Sequence, residues 1–492
     1  MASQLSRRSF LRVSAMVGAA SLLAACQPKI VEVEKIVKET VEVVKEVEKE
    51  VVKEVPKTVV VEKTVVVRAE VEPAELTYMG WGAGAEQDAV VAGIEKFQEA
   101  VPNVTVNWVA NAYNMHLDKL LAMSAAGTPP DTAYIPAEFY AKFAEAGVLF
   151  DITDKLNADP VLGQNGYFVA PEYERSIYKG RWFGIGFCAL AGHMYYNAEI
   201  LAAEGIEPPS NDPAEAWSWD DFLTYANQLT IDLNGQHPSD PGFDPENIER
   251  WGVHYGGIGG IVGRGVVMSN EGAIVNPATG LVELDQPAAL EAVQALADLQ
   301  LTKFVQPNAS TLEALGMGTS QLLETGKLAM TVDGQWALSY LKDLPITLGT
   351  AVAPAMKVPA CDMTSPFQGM LRGTPNVDAA WQWLAFLAGP WYQQQLCSIG
   401  LWLPNQTSLL TEQGLTNWIT PGVHPEGYEL IATKYVADHG QSVFMPEGYL
   451  EGWQQYLKPA MDAINIGDMT AADALPPAVV KANDIISRAA AS

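Results

Sequence analysis

Residues 76–81, Leu-Thr-Tyr-Met-Gly-Trp, form a short and mostly apolar run that ends in Gly82-Ala83-Gly84. That is the pattern of a buried strand entering a tight loop. Val90, Val91, Ile94 and Phe97 follow at helical spacing. Val104-Thr105-Val106-Asn107-Trp108 reads as a second strand, and Leu117, Leu120, Leu121 and Met123 mark a helix stopped by Gly127-Thr128-Pro129-Pro130. Residues 131–135 make a third strand and residues 139–146 a third helix. Strand–helix alternation predicts an α/β body with a parallel sheet covered on both faces. Ligands of such sheets collect at the carboxyl ends of the strands. Those ends carry Trp81, Tyr113 (placed in the loop after the second strand), Glu138 and Tyr140.

Before residue 76 the pattern changes. Ile30, Val33, Val37, Thr40, Val44, Val47 and Val51 recur at spacings of three and four with Glu and Lys between them. This is heptad spacing, and β-branched core positions favour more than two strands. The same stretch also reads as a mixed-charge solvated spacer, and Pro56 ends any helix there. Under either reading, residues 27–75 hold the body at a distance and perform no chemistry. At the start, Arg7-Arg8 before Ser9-Phe10-Leu11 resembles a twin-arginine export signal. The apolar stretch 13–25 is too short to span a bilayer and fits a signal-peptide core. Leu23-Ala24-Ala25-Cys26 resembles a lipobox. Residues 1–26 then form a lipoprotein signal ending at Cys26, the lipid-bearing first residue of the mature chain. The body would sit outside the cytoplasmic membrane, anchored to its outer face.

Composition sharpens this division. The chain has 492 residues, 48% of them apolar and 18% charged, which is ample for large cores. Its net charge is −28, and the first 75 residues balance 12 basic against 12 acidic side chains, so the whole deficit belongs to the body. An acidic body excludes nucleic acid as a partner. Four cysteines exclude a disulfide-rich scaffold. After Cys26, Cys188, Cys361 and Cys397 remain, and a Cys361–Cys397 bridge and buried free thiols both stay open. No nucleophile elbow, His-Glu-x-x-His or phosphate-binding loop is present. The six histidines lie far apart, and the acids between Asp240 and Glu246 miss EF-hand spacing, so no metal or cofactor is expected. The glycine-rich run 256–265 lacks Lys-Ser/Thr and reads as a flexible loop at a cleft rim. No acid stands in a glycosidase-like context, so binding rather than hydrolysis is expected.

The aromatic content points to a ligand class. There are 13 Trp, 17 Tyr and 14 Phe, most of them core by default. Trp81, Tyr113, Trp336, Trp402, Tyr449 and Trp453 stand in loops or at helix starts. A pyranose presents an apolar C–H face that stacks on a ring while its hydroxyls take directional hydrogen bonds. Aromatic platforms with a few carboxylates therefore suit a neutral sugar, and Glu86 is a candidate carboxylate beside Glu138.

From about residue 76 to 492 the order of segments resembles the extracellular solute-binding proteins of ABC importers, in their maltose-binding-like, carbohydrate-directed group. The segments are Pro102-Asn103-Val104-Thr105-Val106, Gly127-Thr128-Pro129-Pro130-Asp131, Glu145-Ala146-Gly147-Val148-Leu149-Phe150-Asp151, Tyr195-Tyr196-Asn197, Gly205-Ile206-Glu207-Pro208-Pro209, Trp219-Asp220-Asp221-Phe222, Gly326-Lys327-Leu328-Ala329-Met330, Asp333-Gly334-Gln335-Trp336 and Leu403-Pro404-Asn405. Departures are the expanded stretch from Pro208 to Trp219, the Pro/Gly-rich 231–265, and Asn405-Gln406 where Ala-Arg is usual. The resemblance implies a two-lobed, type II periplasmic-binding-protein fold with an interlobe cleft. Residues 76–195 and about 365–410 would form the N-terminal lobe, and about 196–364 and 411–492 the C-terminal lobe. It implies crossings near 194–197, 354–373 and 407–416. It also implies ligand roles for Glu138, for a stacking ring at Trp336 and for another near Tyr449 or Trp453. The implied function is capture of a sugar or oligosaccharide by lobe closure and delivery to ABC permease subunits with a cytoplasmic ATPase. Another small polar solute (a polyamine, peptide or glycerol phosphoester) is the alternative reading.

Overall fold

The apolar runs become fourteen strands among the described residues of a computed structural model, which describes residues 71–491 other than 83 and 258. The export signal, Cys26 and the Val-rich segment lie outside the described residues. The strands are β1 (Ala74–Trp81), β2 (Val104–Asn111), β3 (Thr132–Ile135), β4 (Ile177–Tyr178), β5 (Arg181–Trp182), β6 (Gly184–Gly186), β7 (Gly192–Asn197), β8 (Ile231–Asp232), β9 (Ile248–Tyr255), β10 (Leu328–Gly334), β11 (Leu348–Val352), β12 (Cys361–Asp362), β13 (Phe367–Met370) and β14 (Gly440–Gln441). One five-stranded sheet runs β2-β1-β3-β13-β6 and a second runs β11-β7-β10-β9-β8.

In the first sheet β1 pairs in parallel with β2 and β3, but β13 is antiparallel to both β3 and β6. The expected all-parallel sheet is therefore mixed, and the chain's route explains it. β6 leaves this sheet for β7 in the second, and the chain returns from β11 as β13. A strand arriving from the other lobe must run away from the interlobe edge, opposite to β1, β2 and β3. In the second sheet β7 arrives from the crossing and is antiparallel to β10 and β11, while β9 is parallel to β10. Strand direction alone thus puts the loops after β9 and β10 on the same interlobe edge as those after β1, β2 and β3.

Each sheet is covered by helices that bury their periodic apolar face. Helix Ala85–Ala100 buries Val90, Ile94 and Phe97, and Phe97 meets Trp383 of helix Val377–Leu387 with centroids 5.1 Å apart. Helix Pro287–Leu301 buries Ala289, Ala292, Val293 and Leu296 in the second lobe. Cys188, Cys361 and Cys397 are all free and buried, so no Cys361–Cys397 bridge forms. Burial pushes the three thiols upward in pKa. No helix among the described residues is long and apolar enough to cross a membrane.

The segments that pass between the lobes share one buried polar knot. Arg175 donates to Glu172 at 2.8 and 3.1 Å and to the backbone and hydroxyl oxygens of Ser365 at 2.5 and 2.6 Å. The Ser365 hydroxyl donates to the Cys188 carbonyl at 2.7 Å. Asn405 Nδ2 donates to Glu172 at 3.2 Å and to the Gly186 carbonyl at 2.7 Å. Cys188, Ser365 and Asn405 thus join segments far apart in sequence to one ion pair with at most 1% side-chain exposure. Such a pair survives burial only because its hydrogen-bonding capacity is met. A Cβ at position 186 would collide with both Arg175 and Glu172, which requires glycine there.

Candidate ligand cleft

The first lobe presents the ends of β1, β2 and β3. Trp81 closes β1, and three rings meet it edge to face: Tyr113 at 5.0 Å, His116 at 5.1 Å and Tyr134 at 4.8 Å. This cage fixes the indole while leaving it partly exposed. Tyr113 opens helix Tyr113–Ala125 rather than lying in a loop, and it is 64% exposed. Glu138 is the second residue of helix Ala137–Glu145, where the helix dipole favours a carboxylate. Burial nevertheless pushes the Glu138 carboxyl up in pKa, against the pull of its own backbone N–H and of Arg264.

The second lobe presents the segment after β9. Residues from Ile261 onward form helix Ile261–Ser269, which corrects the expectation of a flexible loop across 256–265. Val262 and Val266 are four apart and both buried, and the helix passes the backbone of residues 360–362 at Gly265 with room for a Cβ. This helix carries Arg264. Its Nε donates to Asp362 Oδ2 at 2.5 Å and its Nη1 to the Gly259 carbonyl at 3.2 Å. Tyr449 and Trp453 stack with centroids 6.4 Å and planes 14° apart. The Trp453 indole lies over Gly259, where a Cβ would collide with it. Leu450 and Phe444 pack against the first-lobe core around Phe139, Tyr140 and Phe367, and Phe444 stacks on Tyr178 at 5.9 Å. The lobes therefore meet beside Glu138. Burial pushes the Tyr449 hydroxyl up to about 12, with Arg264 pulling it down and Glu138 and Asp362 pushing it up. Tyr113 feels Glu138 and Arg264 in the same way. One electrostatic cluster thus spans both lobes: Tyr113 and Glu138 on one side, Arg264 and Tyr449 on the other.

The remaining candidates sit elsewhere. Trp336 lies half-buried in the turn Gln335–Ala337 after β10, its ring against the Gly334 backbone. It shares the interlobe edge but has no ring contact with the cluster among the described residues. Glu86, second in helix Ala85–Ala100, is pushed up to about 7 by burial. Its half-buried side chain lies against Gly82, in the loop after β1. Tyr140 is 2% exposed; its hydroxyl donates to the Ser176 carbonyl at 2.6 Å and accepts the Phe183 N–H at 2.9 Å. Trp402 is 4% exposed, between Phe187 at 4.8 Å and Tyr392 at 5.9 Å. The structure gives both a place in the core. Arg264 and Asp362 were not legible as site residues, although apolar spacing at Val262 and Val266 marks the helix. Asp240 and Asp244 accept backbone N–H groups of their own loop, and no three His, Cys, Asp or Glu among the described residues group as a metal site.

Comparison with known proteins agrees with this fold. A putative binding protein of Brucella abortus is 23% identical over 296 residues, 59% of this chain and 66% of that protein. The maltotriose-binding protein of Pyrococcus abyssi is 25% identical over 299 residues, 59% of this chain and 58% of that protein. The chain thus spans less than two thirds of the length of these relatives. An ABC substrate-binding protein from Listeria monocytogenes, solved in complex with cycloalternan, shares the fold with a TM-score of 0.72. It is 20% identical, covering 85% of this chain and all of that one. The profile of the bacterial extracellular solute-binding proteins matches residues 83–394, from the first strand's loop into the helices that follow the return to the first lobe. With two lobes, a shared edge of strand ends and a profile covering more than half its length, the chain belongs to the bacterial extracellular solute-binding protein family.

Proposed function

We propose that this chain is the tethered receptor of an ABC importer that captures a neutral sugar or oligosaccharide between its lobes. The carrying observation is that each lobe brings an aromatic pair, Trp81–Tyr113 in the first and Trp453 on buried Tyr449 in the second, into the neighbourhood where the Glu138 charge acts on both Tyr113 and Tyr449. Rings supply stacking for C–H faces, and the carboxylate accepts hydroxyl protons. A relative named for binding maltotriose, and a protein of the same fold solved in complex with cycloalternan, support the same ligand class. Cys26 carries the lipid anchor on the outer face of the cytoplasmic membrane, residues 27–75 act as spacer or oligomeric stalk, and permease subunits with their ATPase receive the solute. The ligand leaves unaltered. A ligand that contacts both lobes only when they close shifts the population toward closure.

Isothermal titration of a neutral glycan panel should find a ligand with a dissociation constant near micromolar, about −8 kcal/mol. Binding of polyamines or peptides in place of every sugar would overturn the carbohydrate reading. Hydrolysis products that vanish in Glu138→Gln would overturn release without chemistry. Trp336→Ala should weaken sugar binding at least tenfold with Tm nearly unchanged; a large fall in Tm would make Trp336 a core residue.

A further inference from the structure

The chain contains two Asn-Gly pairs, Asn165-Gly166 and Asn234-Gly235, and all four residues are exposed in loops. Asparagine before glycine is open to spontaneous loss of its amide, because glycine has no Cβ to keep its own nitrogen away from the preceding side chain. That nitrogen must shed its proton and turn toward the side-chain carbon, and a hydrogen bond to a carbonyl opposes both. The two pairs differ in this respect. At the second, the Asp232 carbonyl accepts the Gly235 N–H at 3.0 Å. Asp232 Oδ1 accepts the Asn234 N–H at 2.7 Å and the Gln236 N–H at 2.9 Å, and the Asp232 side chain is buried. This turn is thus tied to a fixed carboxylate on three successive nitrogens or their neighbour's carbonyl. At the first pair only the flanks are held. The Gln164 side chain donates to the Pro160 carbonyl at 2.6 Å, and the Tyr167 N–H donates to the Gln164 carbonyl at 3.2 Å. Between them, neither the Gly166 N–H nor the Asn165 side chain has a hydrogen bond among the described residues. A Cβ built at Gly166 would meet nothing within 4 Å, so the turn stands in open solvent.

We infer that Asn165 is a modification site, converted by water alone to aspartate and isoaspartate in the folded protein, while Asn234 is protected. The Gly166 nitrogen gives up its proton and attacks Asn165 Cγ. A new C–N bond forms, the bond from Cγ to Nδ2 breaks, and ammonia leaves carrying that proton. The product is a five-membered succinimide. Water then adds to one of the two ring carbonyls. Cleavage of the ring nitrogen from Cγ gives aspartate, and cleavage from the main-chain carbonyl gives isoaspartate, whose main chain runs through the former side chain and gains a methylene. No oxidant or reductant takes part. Either product adds a negative charge to an already acidic body. The site also lies two positions before Tyr167, which is stitched to the third crossing. The Tyr167 carbonyl accepts the Thr407 N–H at 3.0 Å, its hydroxyl donates to the Ala388 carbonyl at 3.0 Å, and the Val169 N–H donates to the Asn405 carbonyl at 2.9 Å. The extra methylene of isoaspartate therefore enters the chain between two anchored residues, Gln164 and Tyr167.

The test incubates the folded protein at mildly alkaline pH and follows both sites by peptide mass mapping. The same chain in urea is the reference, because there neither turn is held. Dividing each folded-state rate by its urea rate removes the effect of the neighbouring residues. On that scale Asn165 should convert at least tenfold faster than Asn234, and an acidic charge variant should accumulate in step with released ammonia. Asn165→Gln, whose longer side chain would have to close a six-membered ring, should abolish that variant with Tm unchanged. A normalised ratio below tenfold overturns the assignment, as does an acidic variant that persists in Asn165→Gln. These readouts need no ligand, so they stand or fall independently of the carbohydrate reading.

Discussion

Arg175 and Arg264 are both buried arginines paired with an acid, and they differ in what surrounds them. Arg175 sits where the crossing segments converge, and its donors are met by Glu172 and Ser365. Arg264 sits at the cleft, tied to Asp362 and Gly259, with one nitrogen left unbonded among the described residues. The contrast teaches how the molecule separates holding from sensing. A buried charge with every nitrogen bonded is a structural pin. One with a donor in reserve can still take up a further acceptor.

Breaking the pin should give the largest effect. Arg175→Met leaves the Glu172 carboxylate buried without its countercharge and should cost about 3–5 kcal/mol of stability. Urea unfolding measures it; a loss under about 1 kcal/mol would show that Glu172 finds another partner. A smaller effect is expected at Glu86. Its carboxyl holds a proton more tightly folded than unfolded, with pKa raised from 4.5 to about 7. The stability it contributes is complete below about pH 4.5 and is lost as pH rises through 7, because the unfolded chain then releases the proton more readily. Glu86→Gln should remove about 1–3 kcal/mol of that pH dependence, seen as a flatter Tm profile between pH 4.5 and 7. A profile unchanged by the substitution would mean that Glu86 ionises in water. The smallest effect sharpens the comparison from the core side. Tyr140→Phe deletes the hydroxyl that serves Ser176 and Phe183 and should cost about 1–2 kcal/mol with sugar affinity unchanged. A tenfold loss of affinity at constant Tm would return Tyr140 to the binding surface.

What was legible in the sequence was local. The strands ending at Trp81 and Ile135 and the helices after them announce themselves by period, and their order puts Trp81 and Glu138 at strand ends. The reversal of β13 was not legible, because strand direction follows from the route through the second lobe. Arg264 was hidden for two reasons. Its glycine neighbours read as a loop, and its partner Asp362 lies 98 residues away. Asn405, a departure from the family's usual residue, shows its purpose only through Glu172, 233 residues earlier. Tyr140 and Trp402 show the converse problem. Whether a ring near a strand end faces a groove or an interior depends on neighbours that no short window contains.

The central place of β13 also orders how the body is made. Every strand of the second sheet lies between Gly192 and Val352, so that half can complete its hydrogen bonding as soon as those residues emerge during synthesis. The first sheet cannot: β3 and β6 have no bond between them until Phe367–Met370 slides in. The half that is begun first is thus finished last, and a nascent chain halted before Phe367 would carry one closed sheet and one with a gap in the middle.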